Sequence, residues 1–230
     1  MKAGMPETGA VSAAAVDHLI VAAATLAEGV DWCEAVLGVT PEAGGKHPLM
    51  GTHNRLLKIA TRAYPDAYLE IIAVDPAAAP PTRTRWFGLD TLDLRGGPRL
   101  LHLVARSSVL ALHRRSLVTL GLDPGAPVGA SRETAQGTLA WQILVRDDGA
   151  LLEKGAVPTL IQWQGRHPAE ALPESGVTLE ALTLHGVPKP VGALLRLPGV
   201  TLSADAGPAL RARFRTPQGD VTLESTAGSQ

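Results

Sequence analysis

A chain of 230 residues with 45% hydrophobic content can bury a sizeable core without disulfides or a structural metal. Its 21 basic and 22 acidic residues leave a net charge of -1, and aromatics make up only 3%. That balance excludes a nucleic-acid or anionic-membrane surface and points to a small-molecule partner.

Taken in chain order, the opening Met1-Lys2 is interrupted by Pro6 and Glu7, so neither a leader nor a membrane span is expected. Asp17-His18-Leu19-Ile20-Val21 reads as a strand. Leu26, Val30, Cys33 and Leu37 then recur at helical spacing, which places Cys33, the only cysteine, on a buried stripe as a small hydrophobe. A lone cysteine forbids an intramolecular disulfide and fits a cytoplasmic location. Gly38 and Pro41 stop the helix. Gly51-Thr52 leads into the strand His53 to Ile59, and Tyr68 to Ile72 reads as another.

The same order returns. His102-Leu103-Val104-Ala105 precedes a helical pattern with Leu110, Leu117 and Leu120, in which Arg114 and Arg115 form a solvated face. Gly121 and Pro124 stop it, Gly137-Thr138 opens the strand Leu139 to Val145, and Leu160 to Trp163 closes the half. Matched landmarks lie 84, 83, 86 and 92 residues apart, the extra length falling in loops. The expected fold is α+β, with paired βαβββ modules forming a cupped mixed sheet. Module one covers about 17–75 and module two about 99–165. The linker 76–98, with its apolar island Trp86-Phe87-Gly88-Leu89, is either a lid over a pocket or a plug covering a sheet edge. Residues 177–224 form a β-rich extension, a partial third module, whose end carries the hairpin signal Thr216-Pro217-Gln218-Gly219. Ser225 to Gln230 reads as a frayed tail. Strand edges of such a sheet would be covered by a homodimer, or by the third unit within a monomer.

Strand alternation sets Leu19 and Val21 on a helix-packed face and His18 on the other, with His102 placed alike between Leu101 and Leu103. Glu70 opposes Leu69 and Ile71, and Gln162 falls at the position matched to Glu70. Two histidines, a carboxylate and an amide thus repeat in register. A single strand histidine is ordinarily a hydrogen-bonded core residue, and Glu70 could pair with Arg55 or Arg62 instead. His53 follows a Gly-Thr turn and is expected to line the pocket; His47, His113, His167 and His185 lack partners at suggestive spacing and read as structural or exposed.

The ordered pair of units, the Asp17-His18-Leu19-Ile20-Val21 opening, the Leu37-Gly38 helix end and the Gly51-Thr52-His53-Asn54-Arg55-Leu56-Leu57 strand resemble a glyoxalase-like domain of the vicinal oxygen chelate superfamily, over residues 17–185. The resemblance implies a divalent metal (zinc, iron, nickel or manganese) held by His18, Glu70, His102 and Gln162. It also implies a metal-dependent lyase, isomerase or dioxygenase acting on a small oxygen-rich or carbonyl-containing molecule. Glu70 or His53 would be the base, because Gln162 stands where a catalytic carboxylate is often found, and His53, Arg55 and Tyr68 would contact substrate. The alternative is a metal-free protein that uses the same cup to hold a ligand.

Overall fold

The computed structural model describes residues 14–134 and 137–225. The N-terminal stretch in which no leader is expected, and residues 226–230 of the expected tail, lie outside the described residues. Ser225 is not frayed: it is buried, and it exchanges backbone and hydroxyl hydrogen bonds with Leu210.

The first unit runs β1 (Ala15–Ala22), α1 (Leu26–Leu37), β2 (Glu42–His47), β3 (Thr52–Lys58) and β4 (Tyr68–Val74). The second runs β5 (Arg99–Arg106), α2 (Leu110–Thr119), β6 (Ala126–Thr134), β7 (Gly137–Val145) and β8 (Thr159–Gln164). Local chemistry accounts for α1: Thr25 Oγ1 accepts from the Glu28 N–H at its start, and Gly38 at φ 74° takes the left-handed position that ends it.

All eight strands of these units form one sheet in the order β2-β3-β4-β1-β5-β8-β7-β6. Each unit pairs its first strand with its last in parallel, and the units join through the antiparallel pair β1 and β5. Across that join His18 faces Val104 and Ile20 faces His102, so an approximate two-fold axis passes between the strands and superimposes the two histidines. The sheet curls until β2 and β6 approach one another.

Alternation divides the core. On the convex face Leu19, Val21, Leu69 and Ile71 pack with Cys33 and Leu37 of α1. Burial pushes the Cys33 thiol up to about 12, as suits a small hydrophobe. On the concave face Ile20, Ile72, Val104, Ile143 and Ile161 pack with Trp86 and Phe87. The linker therefore fills the cup itself rather than covering a sheet edge, because two large aromatics gain more by burial in the concavity than a strand edge can offer.

The C-terminal residues form β9 (Thr178–His185), α3 (Lys189–Leu195), β10 (Val200–Ser203), β11 (Leu210–Thr216) and β12 (Gly219–Glu224). They share the element order of the other units but not their pairing, since the strand order is β10-β9-β11-β12. Leu179, Leu184, Leu210 and Phe214 lie in the same cluster as Leu19 and Leu69, so this second sheet covers the convex face. No helix among the described residues is long and apolar enough to cross a membrane.

Candidate functional site

In β1, Val16 pairs with Ala105 and His18 with Val104, which leaves Asp17 as the extra residue of a β-bulge. The bulge overrides the alternation that would send Asp17 to the helix side. One Asp17 oxygen lies 2.6 Å from His18 Nδ1. The other accepts from Trp163 Nε1 at 2.9 Å and from His167 Nε2 at 3.0 Å. The far nitrogen of His18, Nε2, is 3.2 Å from Glu70 Oε2, and Tyr68 stacks on the ring at 4.6 Å between centroids.

The chain of polar contacts continues into β3. Asn54 Nδ2 donates to Glu70 Oε1 at 2.6 Å, while Asn54 Oδ1 accepts from the Gly45 N–H at 2.7 Å and from Arg132 Nη1 at 3.3 Å. Asn54 Nδ2 also lies 3.5 Å from His47 Nε2. Asp17, His18, His47, Asn54 and Glu70 are all buried. Arg132 reaches the cluster from β6, across the seam with β2, where an added Cβ on Gly45 would sit 2.4 Å from its Nη1. At this seam a cavity of about 310 Å³ opens, lined by Gly44, Leu56, Arg132, Leu139 and His167 among others.

A model of the family described as "Glyoxalase-like domain" matches residues 16–195. The chain belongs to that family. With it comes membership of the vicinal oxygen chelate superfamily, in agreement with the cupped, nearly closed sheet. A hypothetical protein from Staphylococcus aureus is similar at 13% identity and a TM-score of 0.54, over 94% of this chain and 87% of that one. Methylmalonyl-CoA epimerase from Mycobacterium tuberculosis aligns at 18% identity and a TM-score of 0.40, over 71% and 95% of the two chains. The Streptomyces coelicolor enzyme of that name aligns at 15% and 0.43, over 66% and 96%. No curated protein matches the sequence.

Within this glyoxalase-like domain, His18, Glu70 and Tyr68 meet in the cup. His53 and Arg55 do not. Asn54 and Leu56 pair with Ile72 and Glu70, so they share the concave face, and the residues between them, His53 and Arg55, turn to the convex side. His53 Nδ1 is 3.9 Å from Asp75 Oδ1. His47 and His167, read from sequence as lacking partners, are members of the cluster. His113 and His185 are buried beside Ser107 Oγ and the Asp205 carbonyl.

Superfamily members often use divalent metals, so the implied donors were tested against the geometry. Gln162 faces away from the cup and donates to the Ser108 carbonyl at 3.3 Å. The register explains it: Val104 pairs with Thr159, so by the two-fold relation Thr159, not Gln162, stands where Glu70 stands in the first unit. His102 does face the cup, but its Nε2 accepts from the Thr159 N–H at 3.0 Å. Phe87 covers it, with ring centroids 6.0 Å apart. Among the described residues no group of three or more His, Cys, Asp or Glu could hold an ion. The set His18, Glu70, His102 and Gln162 therefore does not fit a divalent centre.

What the cluster does hold is charge. Burial opposes a charged His18, but its hydrogen bonds to Asp17 and Glu70 prevail and push the imidazolium up to about 9. Burial also opposes ionisation of Glu70, yet His18 holds that carboxyl down to about 2. Asp17 lies well below the usual carboxylate range because hydrogen bonds from His167 and His18 outweigh its burial. His47 and His102 go the other way: burial lowers them to about 4 and about 3, leaving both neutral.

Proposed function

We propose that this glyoxalase-like protein is a lyase- or isomerase-type enzyme that moves a proton on a small carbonyl-containing molecule, using His18 and Glu70 and no resident metal. The observation that carries the reading is the buried Asp17–His18–Glu70 array beside the seam cavity. Glu70 is the base: it takes a proton from the carbon next to the carbonyl as the C–H pair shifts into an enolate. His18, held by Asp17, presents Nε2–H to the developing oxyanion and stabilises it. Drawing that hydrogen bond away from Glu70 leaves the buried carboxylate less stabilised and so more basic, which offsets its low resting pKa. Return of the proton to either face of the same or the neighbouring carbon completes an isomerisation.

A divalent ion held by His18 and Glu70 alone is the competing reading. Asp17 behind Nδ1 resembles the outer partner that orients a metal-bound histidine and favours it; the lack of a third donor counts against it. Exchange of carbon-bound hydrogen for deuterium, followed by NMR across a panel of small ketones, aldehydes and 2-oxo acids with chelator present, separates these readings. Exchange lost in Glu70→Gln supports the proposal. Exchange that requires added zinc or manganese supports the ion, and exchange on no compound with or without metal leaves the ligand-holding role.

A further inference from the structure

Arg132 has more donors than partners. A guanidinium carries five N–H groups, and Arg132 spends one on Asn54 Oδ1, while its Nε is buried with no hydrogen-bond partner. Among the described residues no carboxylate lies within ion-pair distance of it. The acidic residues of the same cavity do not meet it: Glu42 and Glu133 are exposed, and Glu133 Oε1 accepts from the Thr138 hydroxyl. Glu70 is reached only through the Asn54 amide. A half-buried arginine that faces a cavity with unmet donors is a site for a planar anion, since the fork of the guanidinium matches the two oxygens of a carboxylate.

We infer that the seam cavity binds a short monocarboxylate, its carboxylate on Arg132 and its carbon chain between Leu56 and Leu139. This deepens the proposed function and rests on its placing substrate at the seam. The polarity of the cavity sets the orientation. Leu56 stands directly across the sheet from Glu70, so a molecule anchored at Arg132 extends along the row of side chains that leads to the base. A volume of about 310 Å³ lies at the small end of the range for ligand pockets, about 300–1,000 Å³, which suits a short acid. Arg166 also lines the cavity but lies 3.7 Å from Glu170 Oε2, so Arg132 is the guanidinium left to an incoming anion, which favours a monoanion over a phosphate dianion.

Calorimetric titration of the full chain with pyruvate, its neutral amide and inorganic phosphate tests the assignment. Pyruvate should bind with a 1:1 stoichiometry and the amide at least tenfold more weakly. Arg132→Gln should lose most of the pyruvate affinity, with Arg132→Lys intermediate because it keeps charge and loses the fork. Glu70→Gln should still bind pyruvate, which separates this inference from the catalytic one. Equal affinity for the amide, tighter binding of phosphate, or pyruvate binding unchanged in a folded Arg132→Gln would overturn it. Deuterium exchange on neutral ketones without any pyruvate binding would overturn the anion site and leave the proposed chemistry standing.

Discussion

His167 donates through Nε2 to Asp17 Oδ2 at 3.0 Å across 150 residues of chain. The proton sits on Nε2 because Nδ1 accepts from the Ala169 N–H at 3.2 Å. The loop after β8 is thereby fastened to the bulge of β1, and one module orients the acid of the other. His167→Ala should cost about 1–3 kcal/mol in urea unfolding, the cost of leaving a buried carboxylate short of a donor. His167→Gln, which can still reach Asp17, should recover part of it. A loss below about 0.5 kcal/mol would mean the bond has no bearing on stability.

Asn54 and His53 are chain neighbours on opposite faces, and their substitutions should diverge. Asn54→Ala removes the donor to Glu70 and the acceptor of the Gly45 N–H, so a destabilisation of about 2–3 kcal/mol is expected. His53→Ala, facing the convex side, should stay within about 0.5 kcal/mol. Equal effects in matched denaturation curves would contradict the assigned register.

Much of this fold was legible because duplication shows in sequence: His18 and His102, the two helix stops and the Gly-Thr strand openings keep their order. The site was less so. Asp17 reaches the cup only because of a bulge, and nothing in a period-two pattern announces one. The face of β3 could have been found: an antiparallel pairing that sets Leu57 against Leu69 also sets Asn54 on the Glu70 side. Gln162 was misplaced because the spacing from the strand start differs between the units: Thr159 is the true counterpart of Glu70, and an odd offset along a strand reverses the face. His167-Pro168-Ala169-Glu170 reads as a local capping box, which it is, but its tie to Asp17 depends on tertiary structure alone.

Stability should fall as the solution turns alkaline, and His18 should be the cause. Its folded pKa is raised from 6.5 to about 9, so its contribution is complete below 6.5 and is lost as pH rises through 9. Glu70, lowered from 4.5 to about 2, contributes above 4.5 and loses that contribution as pH falls towards 2. His47, lowered from 6.5 to about 4, favours the fold above 6.5 and weakens it on acidification below that. The group facing His18 from β4 besides Glu70 is Tyr68, whose hydroxyl burial holds well above its usual value, so it stays neutral across this window. Urea midpoints between pH 6.5 and 9 should decline for the parent and stay level for His18→Gln. A parallel decline in both would assign the alkaline limb elsewhere.

The aromatic plug depends on a glycine. Gly149 accepts the Gly88 N–H at 2.8 Å, has φ 68°, and an added Cβ would lie 2.1 Å from the Arg85 carbonyl oxygen. Gly149→Ala should therefore displace the segment that carries Trp86 and Phe87. A red-shifted tryptophan emission and a lower melting temperature are expected, whereas an unchanged spectrum would show that the plug is held by its own burial.

His102 separates a structural from a metal-binding role. Its Nε2 accepts the Thr159 N–H, its ring is fully buried, and Phe87 lies over it, so its removal leaves an unpaired backbone donor beside a cavity. His102→Ala should cost about 2–4 kcal/mol and leave the metal content of protein purified without chelators the same as the parent's. Gln162→Ala removes a half-exposed side chain that donates to the Ser108 carbonyl, and should change stability by less than about 0.5 kcal/mol. The two measurements belong on one preparation, because a destabilised variant can lose an ion by partial unfolding. Comparing His102→Ala with His102→Gln settles that ambiguity: the glutamine can still accept from Thr159 and should recover stability. If the glutamine variant is stable yet has lost a stoichiometric ion that the parent carries, His102 is a ligand and the metal-independent reading falls.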